Sequence, residues 1–451
     1  MVQTMAAAKE LVLAYFSSWG GTHRAAWRLP ETPIDPAELF EVHKKWAATA
    51  ERGKLHMYFI ADRLAIVGGE DVTVASSMPE HLTLDPYTLI AALSQHTERI
   101  GLLITSSSTY DNPYHTARRL ASADHISKGR LAWNVVTGGA VDDAPNFGVT
   151  ATGHDTRYER AEEFVDVVRG LWDSFDDDAF VLDKEGNRFY DPARVHVLGY
   201  QGEFVSSRGP LNVARPPQGH PVIAQAGSSG PGMALAARVA DAVFGMRLTV
   251  ESARDFRDQL RAKAADNGRD PDHVKYLLDV TLLLGRTQDE VDARLAQLDA
   301  LVDVDGLLPD LSRFLGIDLS QHPLDGPVPQ PEKTSGGQTV QAVLLEKAEA
   351  EQLTVRQLVQ HFARTAGLFQ AGTAEAVADF MQTWMEAGAA DGFVIRIADP
   401  DPTLEYVADL LVPELQRRGI FRTDYAGTTL RDGLGLPRPD RVGSAAAHTQ
   451  A

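Results

Sequence analysis

The chain has 451 residues, 44% hydrophobic and 23% charged, so it can bury a large core. Its formal net charge of −19 argues against partners such as nucleic acid or an anionic membrane, because both require clustered Lys and Arg side chains. It contains no cysteine, which excludes disulfides, thiolate nucleophiles and cysteine-ligated metal centres. The first residues lack a signal-peptide core and the apolar run 11–16 is too short to span a membrane, so we expect a cytoplasmic location.

The first half of the chain repeats one unit, in which a short apolar strand is followed by a loop, a helix and a glycine. Each helix is predicted from a residue pair that suits a helix N-terminus and a glycine that suits its end. The starts are Asp35-Pro36, Asp85-Pro86 and Pro113-Tyr114, and the stops are Gly53, Gly101 and Gly129. The predicted strands are 12–16, 55–61, 102–105, 131–136, 222–226, 242–246, 276–284 and 392–397. This alternation predicts an α/β fold with a parallel sheet, and eight strands close a TIM (β/α)8 barrel.

Two segments depart from the repeated unit. Residues 173–217 are acidic, then aromatic and Pro-rich, whereas 306–372 hold a Pro/Gly-rich stretch before a predicted helix at 339–350. A segment as long as the second is either a lid or binding loop or an ordinary surface excursion. We therefore predict a single barrel over residues 1–437 with excursions at about 173–217 and 306–372, and a disordered tail at 438–451.

Three stretches, 106–115, 132–137 and 225–229, follow or end an apolar strand and open into polar, small or Gly-rich residues. Because active sites of TIM barrels lie at the C-terminal ends of the strands, these stretches predict the site. The last one stands between a strand and a predicted helix, where unpaired N–H groups and hydroxyls favour an anion such as a phosphate. The alternative is a simple turn with a helix cap.

The motifs at these strand ends resemble those of the bacterial-luciferase-like flavin monooxygenases. The nearest subgroup contains nitrilotriacetate monooxygenase component A, dibenzothiophene-sulfone monooxygenase and pristinamycin IIA synthase. The resemblance runs from about residue 11 to 436. Among the pieces that carry it are Tyr110-Asp111-Asn112-Pro113-Tyr114-His115, Trp133-Asn134-Val135-Val136-Thr137, Arg157-Tyr158-Glu159-Arg160 and Gln225-Ala226-Gly227-Ser228-Ser229.

The resemblance implies the large component of a two-component system. A separate NAD(P)H:flavin reductase would supply reduced FMN (FMNH2), and the chain would use O2 to form a C4a-(hydro)peroxyflavin and transfer one oxygen atom to a small organic substrate. It also suggests a homodimer or homotetramer. The chain has no Gly-x-Gly-x-x-Gly that opens a helix after a strand, which fits a protein without its own dinucleotide-binding domain.

The resemblance also implies a set of cofactor contacts, which are Asp62, Ser106, Ser107, Asn134, Tyr158, Gln225, Gly227, Ser228 and Ser229. Tyr158 resembles a second phosphate contact, beside the anion site predicted above. A buried Asn134 amide must find partners, either on the flavin or on the backbone. Asp62 either contacts the flavin or serves as a partner of Arg63 or as a helix cap.

A reactive oxygenated flavin must be kept from water, which apolar and aromatic walls achieve. The residues predicted for this substrate pocket are Phe16, Trp19, Tyr110 and Phe244, for which ordinary core packing is the alternative. His23 lies in the loop after the first strand and is the candidate catalytic residue. It would act as a proton donor or form a hydrogen bond to the peroxide, because histidine titrates near neutral pH. We expect no metal site.

Three positions depart from the relatives, so the substrate cannot be carried over from them. Gly138 follows the Asn-Val-Val-Thr motif where alkane monooxygenases have a histidine, and Trp19 lies in the region of their first-loop cysteine. Phe314 stands where the sulfone monooxygenase has a histidine.

Three other functions remain as alternatives. They are an F420-dependent oxidoreductase of the same fold, a non-catalytic flavin-binding protein and a metal hydrolase on a TIM barrel. The last would need His and carboxylate ligands that converge from strand ends, and the chain has no His-x-His or His-Glu-x-x-His motif.

Overall fold

The structure is a computed structural model, and it describes residues 10–441 except 69, 139–141, 228, 331–337 and 366. The strands in this part of the chain are β1 Val12–Ser17, β2 Met57–Ile60, β3 Gly101–Ser107, β4 Leu131–Val136, β5 Tyr200–Gln201, β6 Ser206–Ser207, β7 Val222–Gln225, β8 Ala242–Gly245, β9 Lys275–Leu284, β10 Leu368–Gly372 and β11 Gly392–Ile397. Strands β5 and β6 form a small antiparallel hairpin apart from the main sheet.

Helices alternate with the strands of the main sheet. They are α1 Leu39–Arg52, α2 Pro86–Leu93, α3 Pro113–Ile126, α4 Asp143–Asn146, α5 His154–Trp172, α6 Gly230–Val239, α7 Val250–Asp266, α8 Gln288–Ala300, α9 Val304–Leu315, α10 Gln338–Ala350, α11 Val355–Arg364, α12 Ala374–Glu386, α13 Pro400–Tyr406, α14 Val412–Arg417 and α15 Leu430–Gly433. A π-helical turn, Val407–Leu411, joins α13 to α14. None of the described helices is long and apolar enough to cross a membrane.

Eight parallel strands in the described part of the chain close into a barrel in the order β1-β2-β3-β4-β7-β8-β9-β11. The barrel closes because β11 pairs with both β9 and β1, and β8 pairs with β9. The TIM barrel predicted from the alternating strands and helices is therefore confirmed.

A ninth strand of this sheet, β10, was not predicted. It runs parallel to the second half of β9, from Leu368 opposite Val280 to Gly372 opposite Leu284. Strand β9 is ten residues long and β8 pairs only with its first four residues, so the remainder of that edge is open to β10. A short, half-polar strand of this kind carries too little periodicity to be found in the sequence.

Alternation along the strands separates two apolar cores. Residues such as Val12, Met57 and Leu103 fill the barrel interior, while their neighbours pack outward against the helices. Near the C-terminal ends the interior positions become polar, and these positions are Thr105, Ser107, Asn134, Asp279, Thr281 and Arg396. The pattern of side chains therefore places the polar residues at the mouth of the barrel, above an apolar floor.

The segment between α8 and β10 is mostly helical. Helices α9 to α11 share their own apolar core. Arg24, in the loop after β1, ties this unit to the barrel because its guanidinium pairs with Glu80 and Asp310 and lies 5.2 Å from the Phe362 ring centroid. The unit thus lies beside the loops after β1 and β2.

The predicted tail begins with residues that have partners. Arg438 pairs with Asp177 at 2.6 Å and Arg441 with Asp176 at 2.7 Å, both in the 173–217 segment. Residues 442–451 lie outside the described part of the chain. The division into a single barrel unit, two excursions and a tail stays a prediction.

Candidate active site

A cavity of about 200 Å³ opens at the C-terminal ends of β1, β2 and β11. Three of the predicted site residues line it, which are Phe16, Trp19 and Asp62. Arg63, Glu80 and Arg396 contribute charged groups to the same wall. The cavity therefore lies where barrel enzymes carry their chemistry.

Asp62 follows β2 and is partly buried at the cavity. Burial first, and then the negative charges of Asp85, Asp111 and Asp143, raise the pKa of the Asp62 carboxyl to about 6. A carboxyl with this pKa exchanges a proton close to neutral pH. Residues with pKa values shifted in this way are found preferentially at functional sites.

The variant Asp62→Asn tests this protonation through stability. Because the pKa of Asp62 is higher in the folded state, the folded protein binds this proton more tightly, which adds to the free energy of unfolding of the wild type at low pH. That contribution is lost as pH rises from 3.8 to about 6. We therefore expect the asparagine variant to gain stability relative to wild type across this window. Urea unfolding at several pH values measures the difference, with Glu251→Gln on the exposed surface of α7 as the control. A difference that is the same at every pH would contradict the assignment.

Asn134 lies on β4 with its side chain inside the barrel and is 3% exposed. Its Nδ2 donates a hydrogen bond to Thr105 Oγ1 at 3.0 Å. Its Oδ1 is buried and has no hydrogen-bond partner among the described residues. A buried amide oxygen without a partner is costly, and in a binding site it indicates an acceptor that a ligand satisfies.

The predicted anion cradle lies at the N-terminus of α6. Ser229 is the N-cap, and its Oγ accepts a hydrogen bond from the backbone N–H of Gly232 at 3.2 Å. A Cβ on Gly232 would lie 2.9 Å from Tyr158 Oη and 3.0 Å from Ser229 Oγ, so both hydroxyls converge on this first turn. A Cβ on Gly227 would lie 2.7 Å from the Gly232 Cα, which explains why both positions are glycine. Ser228, predicted for the same site, lies outside the described residues.

Ser106, Ser107 and Gln225 were predicted together but differ in orientation. The Ser106 hydroxyl accepts a hydrogen bond from the Trp133 indole at 2.8 Å, and this indole belongs to the outer core against the helices. Ser107 faces the other side, and its Oγ accepts bonds from the backbone of the loop after β3 at 3.2 and 3.3 Å. The Gln225 Oε1 accepts from the Gly227 N–H at 2.6 Å and so shapes the turn before α6. Of these three side chains only Ser107 points into the barrel by strand alternation.

The predicted aromatic wall is only partly assembled around the cavity. Phe16 and Trp19 line it, and Phe244 lies below. The Phe59 ring connects Phe16 to Phe244, because its centroid lies 4.9 Å from that of Phe16 and 5.1 Å from that of Phe244, both in edge contacts. Tyr110 is apart from this group and stacks on the Phe147 ring at 4.7 Å. The three phenylalanines therefore form an apolar floor under the mouth of the barrel.

His23 is buried beside α8 and does not line the cavity. Its Nδ1 accepts a hydrogen bond from the backbone of Ala25 at 3.1 Å, and its Nε2 lies 3.6 Å from Asp299 Oδ1. Asp299 is also held by Arg364 Nε at 3.0 Å. This geometry ties the loop after β1 to α8 and α11 and gives the ring no contact with the cavity.

Three polar residues at the mouth of the barrel were not predicted from the sequence as site residues: Thr105, Asp279 and Arg396. Arg396 Nε lies 2.9 Å from both carboxylate oxygens of Asp279, which is 7% exposed inside the barrel. The signal for this pair is a lone charge in each of two otherwise apolar strands, Gly392–Ile397 and the buried part of Lys275–Leu284. Charges at such positions are normally paired.

The fold and these groups define a TIM-barrel enzyme with a hydroxyl-lined helix N-terminus at one side of its mouth and a cavity with charged walls at the other. The chain belongs to the luciferase-like monooxygenase family, whose model matches residues 15–391. It is 43% identical over 438 residues to N-acetyl-S-(2-succino)cysteine monooxygenase of Bacillus subtilis (strain 168), covering 96% of this chain and 98% of the relative. It is 42% identical over 448 residues to nitrilotriacetate monooxygenase component A of Aminobacter aminovorans, covering 96% and 98%.

Solved structures agree with this assignment. The structure of DmoA from Hyphomicrobium sulfonivorans superposes with a TM-score of 0.86 at 30% identity, covering 97% of this chain and 96% of that one. An F420-dependent secondary alcohol dehydrogenase matches with a TM-score of 0.56 at 15% identity, which shows a shared fold alone. The prediction of a flavin-dependent monooxygenase is therefore confirmed, and the alternative functions are not supported.

Proposed function

We propose that this chain is the oxygenating component of a two-component system that binds FMNH2 and inserts one oxygen atom from O2 into a small organic substrate. The observation that carries the proposal is the convergence of the Ser229 and Tyr158 hydroxyls on the N-terminus of α6. A helix N-terminus with added hydroxyl donors suits a phosphate. This feature supports FMN over a flavin without a phosphate.

The residues at the mouth fit a reduced flavin. Gly227, Ser229 and Tyr158 would hold the phosphate, and the orphaned Asn134 Oδ1 would accept a hydrogen bond from an N–H group of the ring. Bound reduced flavin supplies the electrons that activate O2. Asp62, with a pKa of about 6, would hold or release a proton at the edge of the cavity.

Exclusion of water is the task of the apolar floor and of the loops around the mouth. Phe16, Phe59 and Phe244 pack edge to face beneath the cavity and join the apolar core of the barrel interior. The helical unit α9–α11, fixed to the barrel through Arg24, would cover the same side. A dry site favours transfer of oxygen to substrate over release of hydrogen peroxide.

A flavin reductase that uses NAD(P)H would be the partner, by diffusion or by transient contact, and a homodimer or homotetramer is part of the same proposal. The relatives include nitrilotriacetate monooxygenase component A and both subunits of pristinamycin IIA synthase, whose names support a system with more than one component. Dependence on NAD(P)H supports a cytoplasmic location. Substrates named for the relatives range from nitrilotriacetate to dibenzothiophene sulfone and long-chain alkanes, so they leave the substrate open.

Anaerobic titration of the protein with FMNH2 and with reduced riboflavin tests the cofactor assignment. The two flavins share the ring and differ in the phosphate. We expect FMNH2 to bind at least tenfold more tightly, because the cradle at α6 contacts only the phosphate. Equal affinities would contradict the proposed role of Ser229 and Tyr158.

The candidate proton donor His23 can be tested with His23→Gln. Because the ring lies against α8, we expect the variant to lose about 1 kcal/mol of stability and to keep the wild-type pH profile for oxidation of bound FMNH2 by O2. Thermal unfolding and rapid mixing measure these two properties. A changed pH profile at normal stability would instead support His23 as the donor.

A further inference from the structure

Arg396 is the one charged residue of β11, and strand alternation places its side chain inside the barrel. Its Nε donates to the Asp279 carboxylate, with both oxygens at 2.9 Å. Its guanidinium carbon lies 3.5 Å from the centroid of the Phe16 ring. The ion pair and the stacked ring together fix the orientation of the guanidinium.

The ion pair with Asp279 does not use the terminal amino groups of Arg396. Nη1 and Nη2 have no hydrogen-bond partner among the described residues, and neither is sealed away from solvent. The side chain is 26% exposed and lines the cavity. A guanidinium carries five N–H donors, of which Nε uses one here, so the pre-oriented fork presents the rest to the cavity.

A second cation, Arg63, faces the same cavity. It has no ion pair within 4 Å among the residues that the structure describes, and its side chain keeps contact with solvent. The surrounding loops remove part of its hydration, and repulsion from Arg24 and Arg396 adds to this, so the pKa of Arg63 is lowered.

The acidic groups at the cavity leave Arg63 and the terminal amino groups of Arg396 available to bind a ligand. Glu80 is paired with Arg24, and Asp279 is engaged at the Nε of Arg396 rather than at its terminal groups. Asp62 is the remaining carboxyl of the wall, and burial raises its pKa to about 6. The charge of Arg396 is balanced by Asp279, but no described carboxylate is hydrogen-bonded to its terminal amino groups. Those amino groups and the Arg63 guanidinium are therefore the donors at the cavity that a ligand can use.

Arg396 lies far from the phosphate cradle in the order of the strands. The cavity is centred on β1, β2 and β11, and the cradle follows β7. In the closed ring of eight strands, β1 and β7 occupy opposite positions. The anion that the Arg396 fork would take is therefore different from the flavin phosphate.

We propose that Arg396 anchors a carboxylate of the substrate, and that the substrate is a small organic acid. The two terminal amino groups would bind the two oxygens of the carboxylate side by side, which is the preferred geometry of this pair. Arg63 would engage a second acidic group or guide the substrate in. This inference rests on the proposed oxygenase function, for which the same cavity receives the substrate.

Calorimetric titration of the protein with succinate, iminodiacetate and tricarballylate, and with succinamide as the neutral match, tests the proposal. We expect at least one acid to bind tenfold more tightly than succinamide. Arg396→Lys keeps the charge beside Asp279 but removes the fork, and it should weaken binding of that acid at least tenfold. The double variant Asp279→Asn/Arg396→Met removes both charges together and should abolish the preference without an unpaired buried carboxylate.

The controls separate this inference from the cofactor assignment. Arg257→Lys changes an arginine paired with Asp391 away from the cavity, and it should leave acid binding unchanged. FMNH2 affinity, measured anaerobically, should stay within twofold of wild type in Arg396→Lys. Wild type without any preference for the acids, an Arg396→Lys variant that keeps the preference, or a loss of FMNH2 affinity in that variant would each overturn the proposal. Failure of FMNH2 to bind wild type would instead count against the proposed function.

Discussion

We expect Ser229→Asp to abolish binding of FMNH2 while the protein stays folded. Asp is as good an N-cap as Ser, so α6 keeps the hydrogen bond to Gly232 N–H. The new carboxylate would face a phosphate of the same sign. At an effective dielectric constant of about 20, two unit charges about 4 Å apart repel by about 4 kcal/mol, which is roughly a thousandfold in affinity.

Anaerobic titration with FMNH2 measures this loss, and two variants serve as controls. Ser229→Ala removes the cap without adding charge, so we expect a smaller loss of affinity together with about 1 kcal/mol of stability. Thr354→Asp makes a comparable change at the N-cap of α11, where Thr354 Oγ1 accepts from Gln357 N–H at 3.2 Å. That variant should bind FMNH2 normally. Wild-type affinity in Ser229→Asp would refute the phosphate site.

Asn134→Leu is expected to change stability and cofactor binding in opposite directions. The buried Asn134 Oδ1 has no partner in the described structure, and an unsatisfied buried acceptor costs about 1–3 kcal/mol. Leucine has a similar volume and removes that cost, so the flavin-free protein should become more stable by about 1 kcal/mol. The same change removes the acceptor for the flavin ring, and FMNH2 affinity should fall at least tenfold.

Denaturant unfolding without flavin and anaerobic titration with FMNH2 measure the two effects. Thr105→Val is the matched control, because it removes the acceptor of Asn134 Nδ2 and leaves Oδ1 in place. That variant should be less stable than wild type and should lose less affinity than Asn134→Leu. If Asn134→Leu lowers stability and keeps normal affinity, Asn134 is a structural residue.

The barrel could be predicted because its strands are short apolar runs, each bounded by a loop that carries turn or cap residues. Helix α2 shows where this reasoning fails, since the predicted helix runs to about Ile100 but the helix ends at Leu93. Arg130 explains the difference: its guanidinium donates to the carbonyls of Ser94, Thr97 and Ile100 at 2.9–3.0 Å. Those carbonyls therefore need no helical partner, and no local pattern shows that a distant arginine satisfies them.

The site could be predicted in part for a similar reason. Gly227 and Ser229 stand at a strand-to-helix junction, where local sequence is enough to predict an anion cradle. The orientation of Ser106 and Ser107 follows from alternation only once Leu103 is known to face inward. The Arg396–Asp279 pair depends on the register between β11 and β9, which brings together residues 117 positions apart. Contacts of this kind need the assembled barrel.

Oxygen activation by the bound flavin can be followed by mixing anaerobically prepared, FMNH2-loaded protein with oxygenated buffer and recording the absorbance of the flavin over time. For an oxygenase we expect a transient spectrum that differs from those of reduced and oxidised FMN and that outlives the reaction of free FMNH2. Ser229→Asp should show only the behaviour of free FMNH2. If FMNH2 bound to the wild type is oxidised at the rate of free FMNH2, with no transient in the presence or absence of organic acids, the protein is not an FMNH2-dependent oxygenase.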